Sequence, residues 1–365
     1  MMRLLLSGYY GFGNTGDEAI LAATIAGLRA RRPDAEISVL CANPEATCSA
    51  HDVRGVNRWS LWQQLAAIRA ADLFIQGGGG LFQDSTSKLS ALYYLNQLVI
   101  ARMVRTPFAI FAQGVGPLQS SYLRGALVRN FSRARLVTVR DPESAEELLA
   151  WGLRGVEPVV TADPVLLLEP APAEHVEQML AALELPPGGY ILLALRSWPA
   201  AESAYEAIVR WLCNLDRPVL LLPFQYNQDV AIARHIQSRL PPGAARVPIG
   251  PYQPREIMGL IQAADEVLAM RLHALIMACA VGTTAAGLSY DPKVNAFCHR
   301  SGQPVMDLHL IEQGGADDLM EAARHATSEV EQKRRQLAQQ AAKTFDLIAD
   351  LCRQIARGPQ AADTH

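Results

Sequence analysis

No stretch of this chain is both long enough and sufficiently free of charge to span a bilayer, which argues against a membrane-spanning protein. Its six cysteines (Cys41, Cys48, Cys213, Cys279, Cys298 and Cys352) form no C-x-x-C pair and keep no regular spacing. A zinc site or a disulfide framework is therefore not expected, and a reducing compartment is. Surplus positive charge is missing too: the formal net charge is −3, whereas binding to a phosphate backbone needs clustered excess Lys and Arg, so nucleic acid is not an expected partner. The apolar run that follows Met1 is interrupted by Gly8 before it reaches signal-peptide length. No repeat of solenoid period is present. The expectation is a soluble cytoplasmic protein, compatible with peripheral contact at the inner face of a membrane. What the chain does have is 365 residues, half of them hydrophobic and 19% charged, enough for two cores of ordinary size.

Short apolar runs alternate with helical patterns. Strand-like runs at Arg3–Ser7, Glu36–Cys41, Asp72–Gln76, Phe108–Gln113, Leu136–Arg140 and Val159–Ala162 are separated by helical segments. Such alternation, with near-continuous apolar strands, implies a parallel sheet covered on both faces. The pattern breaks at Leu168-Glu-Pro170-Ala-Pro172 and resumes with strands at Tyr190–Leu195, Val219–Phe224, Glu266–Met270 and Thr284–Leu288. From Ala316 to Ala356 there is no Pro or Gly, so that stretch should be helical. The predicted fold class is α/β: a Rossmann-like domain over 1–168, a second over 173–313 facing it, and a helical tail over 314–365.

After the first strand comes Gly8-Tyr9-Tyr10-Gly11-Phe12-Gly13-Asn14-Thr15-Gly16-Asp17-Glu18. The spacing satisfies G-x-G-x-x-G in the strand-to-helix context of a dinucleotide fingerprint. Asp17 and Glu18 in the helix's first turn would repel a pyrophosphate, and the second strand ends without an acid for a ribose diol. NAD is thus excluded, and the loop suits a neutral hydroxylated ligand: Tyr9, Tyr10 and Phe12 could stack, while Asn14, Asp17 and Glu18 could bond hydroxyls. The plainer alternative is that Asn14 or Thr15 caps the helix and Asp17 answers its dipole. The glycine run Gly77–Gly80, before Leu81-Phe82-Gln83-Asp84, signals close backbone approach after the third strand.

A second concentration of chemistry lies at strand ends. Val267–Met270 runs directly into Arg271-Leu272-His273 and then an apolar helix. Arg140, Arg196 and Lys293 also terminate strands or follow them closely. In open α/β sheets the carboxyl edge is where ligands bind, and massed cations there suit a compact polyanion. Local pairing is the alternative, Arg140 with Asp141 or Glu143 and Lys293 with Asp291.

These segments together resemble the polysaccharide pyruvyl transferase family, most closely its CsaB branch. The resemblance runs in order through Gly8–Ala19, Gly77–Asp84, Gln113–Pro117, Arg140–Ser144, Asp163-Pro164, Leu195–Pro199, Arg271–Ile276 and Ser289–Val294. Val281-Gly282-Thr283 departs from the family pattern, beyond the helix that carries His273. The resemblance implies a GT-B-like fold. It also implies transfer of pyruvate from phosphoenolpyruvate, a substrate rather than a cofactor, to two hydroxyls of a sugar as a cyclic ketal. The branch implies an N-acetylmannosamine-type acceptor in a cell-wall polymer or its lipid-linked precursor. Matching functional positions are Asn14, Arg140, Arg271, His273 and Lys293, with Arg196 a looser match. On this reading His273 is the general acid and Asp17 or Glu18 the hydroxyl base. Arg140, Arg196, Arg271, Leu272 and Lys293 hold the donor, and Tyr10, Asn14, Gly79 and Asp84 the acceptor. No metal or other cofactor is expected. Two other classes fit the same motifs: a nucleotide-sugar glycosyltransferase, and a non-catalytic binder of anionic sugars. Neither the acceptor's identity nor an oligomeric state is written in these motifs.

Overall fold

The structure, a computed structural model, describes residues 1–83, 88–199, 201–313 and 315–357. The chain divides into two compact units. The first comprises Met1–Phe12, Ile20–Leu167 and the chain from Gln339 onward; the second comprises Gly13–Ala19 and Leu168–Ala338.

The first unit carries β1 (Met2–Ser7), α1 (Thr15–Arg31, whose first turn counts with the second unit), β2 (Ala35–Cys41), α2 (Pro44–His51), β3 (Arg54–Asn57), α3 (Leu61–Ala70) and β4 (Leu73–Phe82). It continues with α4 (Lys88–Met103), β5 (Phe108–Val115), α5 (Ser121–Phe131), β6 (Leu136–Val139), α6 (Pro142–Ala150) and β7 (Pro158–Val160). Its sheet has the order β3-β2-β1-β4-β5-β6-β7. All eight residues of β5 are buried, as a strand covered on both faces requires. The glycine run expected to follow a strand lies inside one: β4 continues through Gly77–Gly80 to Phe82. At Gly77 φ is +147°, and a Cβ there would fall 2.2 Å from the Phe111 carbonyl oxygen on the neighbouring strand, so only glycine fits.

The second unit contains α7 (Ala173–Ala182), β8 (Ile191–Ala194), α8 (Glu202–Cys213), β9 (Val219–Leu221), α9 (Tyr226–Ser238), β10 (Ala245–Arg246) and α10 (Pro254–Ala263). It goes on through β11 (Glu266–Ala269), α11 (Leu272–Val281), β12 (Thr284–Ser289), α12 (Pro292–Ser301), β13 (Val305–Asp307) and α13 (Ala316–His325). The order β10-β9-β8-β11-β12-β13 is that of a doubly wound sheet, and its strand pairs are parallel.

The expected separate tail is instead split between the units. Ala316, Leu319, Met320 and Ala323 of α13 belong to the core of the second unit. The last helix, α14 (Thr327–Arg357), enters the first unit from Gln339, where Phe345 is fully buried with its ring 5.3 Å from that of Phe111. Among the described residues, no helix is long and apolar enough to cross a membrane.

Candidate active site

In a sheet of this order the chain winds away to opposite sides between the two central strands, leaving a crevice at their carboxyl ends. In the second unit those strands are β8 and β11, paired Ile191↔Glu266 through Ala194↔Ala269. Arg196 and Arg271 each stand two residues beyond the last pair, so both leave the sheet at the same level on either side of the crevice. Met270, fully buried, anchors the turn, and Met270 and Arg271 both donate from the backbone to the Ala194 carbonyl, at 2.9 and 3.3 Å. Arg271 is then the N-cap of α11 and contributes no side-chain cap. Ala274 to Cys279 are all buried, so the helix is held by its middle while its first turn meets the crevice.

The Arg271 fork is half used. Its Nε donates to Asp229 Oδ2 at 3.0 Å and its second terminal nitrogen to Asp229 Oδ1. Asp229, 1% exposed, also accepts from the backbone N–H groups of Phe224 and Gln225 at 3.1 and 2.8 Å. Three of the five guanidinium N–H donors are not taken by Asp229. The pair is neutral overall, so Arg271 offers an anion aimed donors more than net charge.

His273 follows within the first turn of α11, half-buried, against the glycine loop. A methyl group at Gly16 would fall 2.2 Å from His273 Nδ1. The loop is tied down locally: Thr15 N–H donates to the Phe224 carbonyl at 2.9 Å, Asn14 forms an antiparallel bridge with Gln225, and Gly16 N–H donates to Asn14 Oδ1 at 3.1 Å. These bonds explain why Gly13–Ala19, expected in the first domain, groups with the second unit. Asp17 and Glu18 come next in the first turn of α1, both half-buried.

Arg196 points one nitrogen at the Tyr290 hydroxyl, 3.0 Å away, and its guanidinium lies 5.3 and 5.1 Å from the rings of Trp198 and Tyr290. Its Nε is buried with no hydrogen-bond partner among the described residues. Lys293 stands in the first turn of α12, where Asp291 is the N-cap and accepts the Lys293 backbone N–H at 3.0 Å. Leu272 opens α11 half-buried, so what it can offer an anion is its backbone N–H.

Three expected site residues belong to the first unit. Arg140 is 7% exposed in the first unit and is held 3.4 Å from both Asp141 and Asp163, packed against the Gly114 backbone. Asp141 and Asp163 thus hold the Arg140 guanidinium in place. Tyr10 is 2% exposed, with its hydroxyl on the Gly77 carbonyl at 3.0 Å. Its ring is thus enclosed rather than offered as a stacking face. Gly79 is buried within β4, where its carbonyl accepts from Gln113 at 2.8 Å. Asp84 lies outside the described residues. Conversely, the predicted strand Val219–Phe224 ends shortly before Asp229, and nothing local to that acid points to a partner 42 residues away. Among the described residues no group of acidic, His or Cys side chains could hold a metal ion.

A family model described as polysaccharide pyruvyl transferase matches residues 14–292, a span that takes in Asn14, Asp229, Arg271 and His273. The chain belongs to the polysaccharide pyruvyl transferase family. The match is to the family as a whole rather than to its CsaB branch. This transferase is 22% identical to the amylovoran biosynthesis protein AmsJ of Erwinia amylovora, over 91% of its own length and 96% of the relative's. The family match supports a pyruvyl-transfer role in polysaccharide synthesis. Solved structures share its fold. Anabaena HepE in complex with UDP and glucose has a TM-score of 0.62 at 14% identity, covering 97% of this chain and 100% of that one. S. aureus MnaA with UDP has a TM-score of 0.69 at 11% identity, with full coverage of both chains. The UDP-GlcNAc 2-epimerase of Methanocaldococcus jannaschii gives 0.63 at 13% identity, covering 97% and 100%. The pyruvyl transferase therefore has the GT-B-like α/β fold.

Proposed function

We propose that this chain transfers pyruvate from phosphoenolpyruvate to two hydroxyls of one sugar, giving a cyclic ketal and inorganic phosphate. The observation that carries this reading is the Arg271–His273 turn at the crevice of the second sheet, with Asp229 fixing the guanidinium and the Gly16 backbone set against the imidazole. The reaction needs a proton on the donor's methylene carbon, then attack by one hydroxyl at the neighbouring carbon. The C–O bond to phosphate next breaks, and the second hydroxyl closes the ketal; the two hydroxyl protons balance the one delivered to carbon and the one carried off. Protonated His273 supplies the first proton. The free edge of Arg271, with Arg196, Lys293 and the opening N–H groups of α11, receives the carboxylate and the departing phosphate, where charge grows. Asp17 or Glu18, the residues that follow Gly16 in the first turn of α1, takes the hydroxyl proton.

The test is phosphate release from phosphoenolpyruvate with sugar acceptors of the N-acetylmannosamine type, free and lipid-linked, paired with product mass. His273→Gln should lower turnover at saturating donor by roughly 100-fold or more, as loss of a general acid does. Near-wild-type turnover in that variant removes His273 from the acid role. Consumption of a nucleotide sugar with nucleotide release would identify a glycosyltransferase instead.

A further inference from the structure

A cavity of about 460 Å³ opens at the carboxyl edge of the second sheet, bounded by the chain leaving β8, the end of β12, the start of α12 and the end of β13. That volume falls in the ~300–1,000 Å³ range of small-molecule sites. Its chemistry is opposite to that of the neighbouring crevice. Among the described residues no Lys or Arg lines it, whereas Asp291, Asp307 and Glu312 do. A phosphate or a second carboxylate would be repelled there. One wall is aromatic: the rings of Trp198 and Tyr290 lie 4.6 Å apart at 53°, and Trp198 is 41% exposed. Asn295 lines it too. An exposed indole beside carboxylate and amide groups suits a neutral polyhydroxylated ring, whose C–H face packs on the aromatic surface while its hydroxyls donate to the acids.

The carboxylates are positioned for this. Asp291 uses one oxygen as the cap of α12, and Glu312 is held by the Ser203 hydroxyl. The Asp307 side chain has no hydrogen-bond or ion-pair partner among the described residues. The cavity is also linked to the cationic crevice through one side-chain contact, because Tyr290, which lines it, takes its hydroxyl's hydrogen bond from Arg196. We infer that this cavity is the sugar acceptor's pocket, with Trp198 and Tyr290 as its stacking wall and Asp307 as a hydroxyl acceptor. The inference rests on the pyruvyl-transfer reading above. It puts the acceptor at residues other than the expected Tyr10, Asn14, Gly79 and Asp84.

Two measurements test it. In the phosphate-release assay, Trp198→Ala and Asp307→Asn should each raise the acceptor KM by roughly tenfold, the effect of losing one stacking face or one charged hydrogen bond. The KM for phosphoenolpyruvate should stay within about twofold. A raised donor KM with an unchanged acceptor KM, or no change in either, overturns the assignment. Separately, saturation-transfer NMR with methyl glycosides of N-acetylmannosamine, glucose and galactose reports binding without turnover. Signal in the wild type that Trp198→Ala abolishes supports the pocket; no signal, or signal that survives both substitutions, overturns it. Saccharide binding lost in Trp198→Ala alongside a wild type that releases no phosphate would sink the pyruvyl-transfer reading and leave the pocket standing.

Discussion

Asp229 carries more of the site than its place in the sequence suggests. It is buried, ties two backbone N–H groups at the start of α9 and grips Arg271, whose side chain is only 12% exposed. Asp229→Asn should therefore destabilise the protein by about 3 kcal/mol, because removing one partner leaves a buried cation uncompensated. Urea unfolding monitored by circular dichroism measures this, and an unchanged midpoint would show that the pair contributes nothing net. Gly16 is a second point of leverage. Gly16→Ala has to push the imidazole aside, and a displacement near 1 Å costs about 100-fold in rate. Measured kcat should fall by that order at saturating substrates, and a rate within a few-fold of wild type would mean that the ring's position is unimportant. The run Met270-Arg271-Leu272-His273 was legible because a strand passing straight into a helix is local information. The Asp229 partner was not, since nothing in a linear pattern measures a hydrogen bond between segments 42 residues apart. Tyr10 misled for a related reason: a tyrosine in a glycine loop reads as exposed until the glycines are seen to make room for its ring, and a Cβ at Gly8 would lie 2.3 Å from it.

At the scale of elements, long apolar strands and periodic helices were readable and short or exposed ones were not. The expected strands at Phe108–Gln113 and Glu266–Met270 coincide with β5 and β11, whereas β3, β10 and β13 are not among the expected runs. In β3 only Val56 is buried, and β10 has two residues, so neither has enough apolar signal to stand out. The helices α2 and α12 were also missed, although each carries an N-cap followed by proline, Asn43-Pro44 and Asp291-Pro292, a pair that opens a helix because proline sacrifices an N–H that has no partner there. The last helix, α14, reads as a charged surface helix, yet Leu337, Ala341, Phe345, Ile348 and Cys352 form a buried stripe at helical spacing. Phe345→Ala should cost about 3–5 kcal/mol, since the ring is enclosed by Phe111 and the Gly27 backbone and its cavity cannot readily collapse. Thermal unfolding reads this directly. A shift of a degree or less would mean that the end of α14 docks loosely.

For the molecule as a whole, two sheets of like order put their crevices to different uses. At β1 and β4 Tyr10 bonds the Gly77 carbonyl, and a buried chain of hydrogen bonds runs from Ser7 and Gln76 to Gln97 and from Gln97 to Gln64. Between β8 and β11 it is flanked by Arg196 and Arg271. Both sheets are legible in the strand pattern, but these side-chain contacts at their strands are not. Whole-molecule stability should also depend on alkaline pH. Burial pushes the thiols of Cys279 and Cys298 up to about 12 from an ordinary 9.0, and raises the Tyr190 hydroxyl as well. The folded state then holds protons that the unfolded chain releases, so this stabilisation is complete below pH 9.0 and drains away as pH rises toward 12. The urea midpoint should fall steadily above that lower value, and a flat profile to pH 11 would contradict it. The division of the chain has a consequence for how such a protein can be rearranged. The chain passes from one unit to the other four times, after Phe12, Ala19, Leu167 and Ala338. A cut at Leu167–Leu168 yields no complete module: the upstream piece lacks Phe345, and the downstream piece lacks the Asn14–Glu18 loop that sits on His273. Halves shuffled between relatives at that seam would each bring a foreign plug to the other's core, so recombination should preserve function only when the opening loop and the end of α14 travel with the unit they complete.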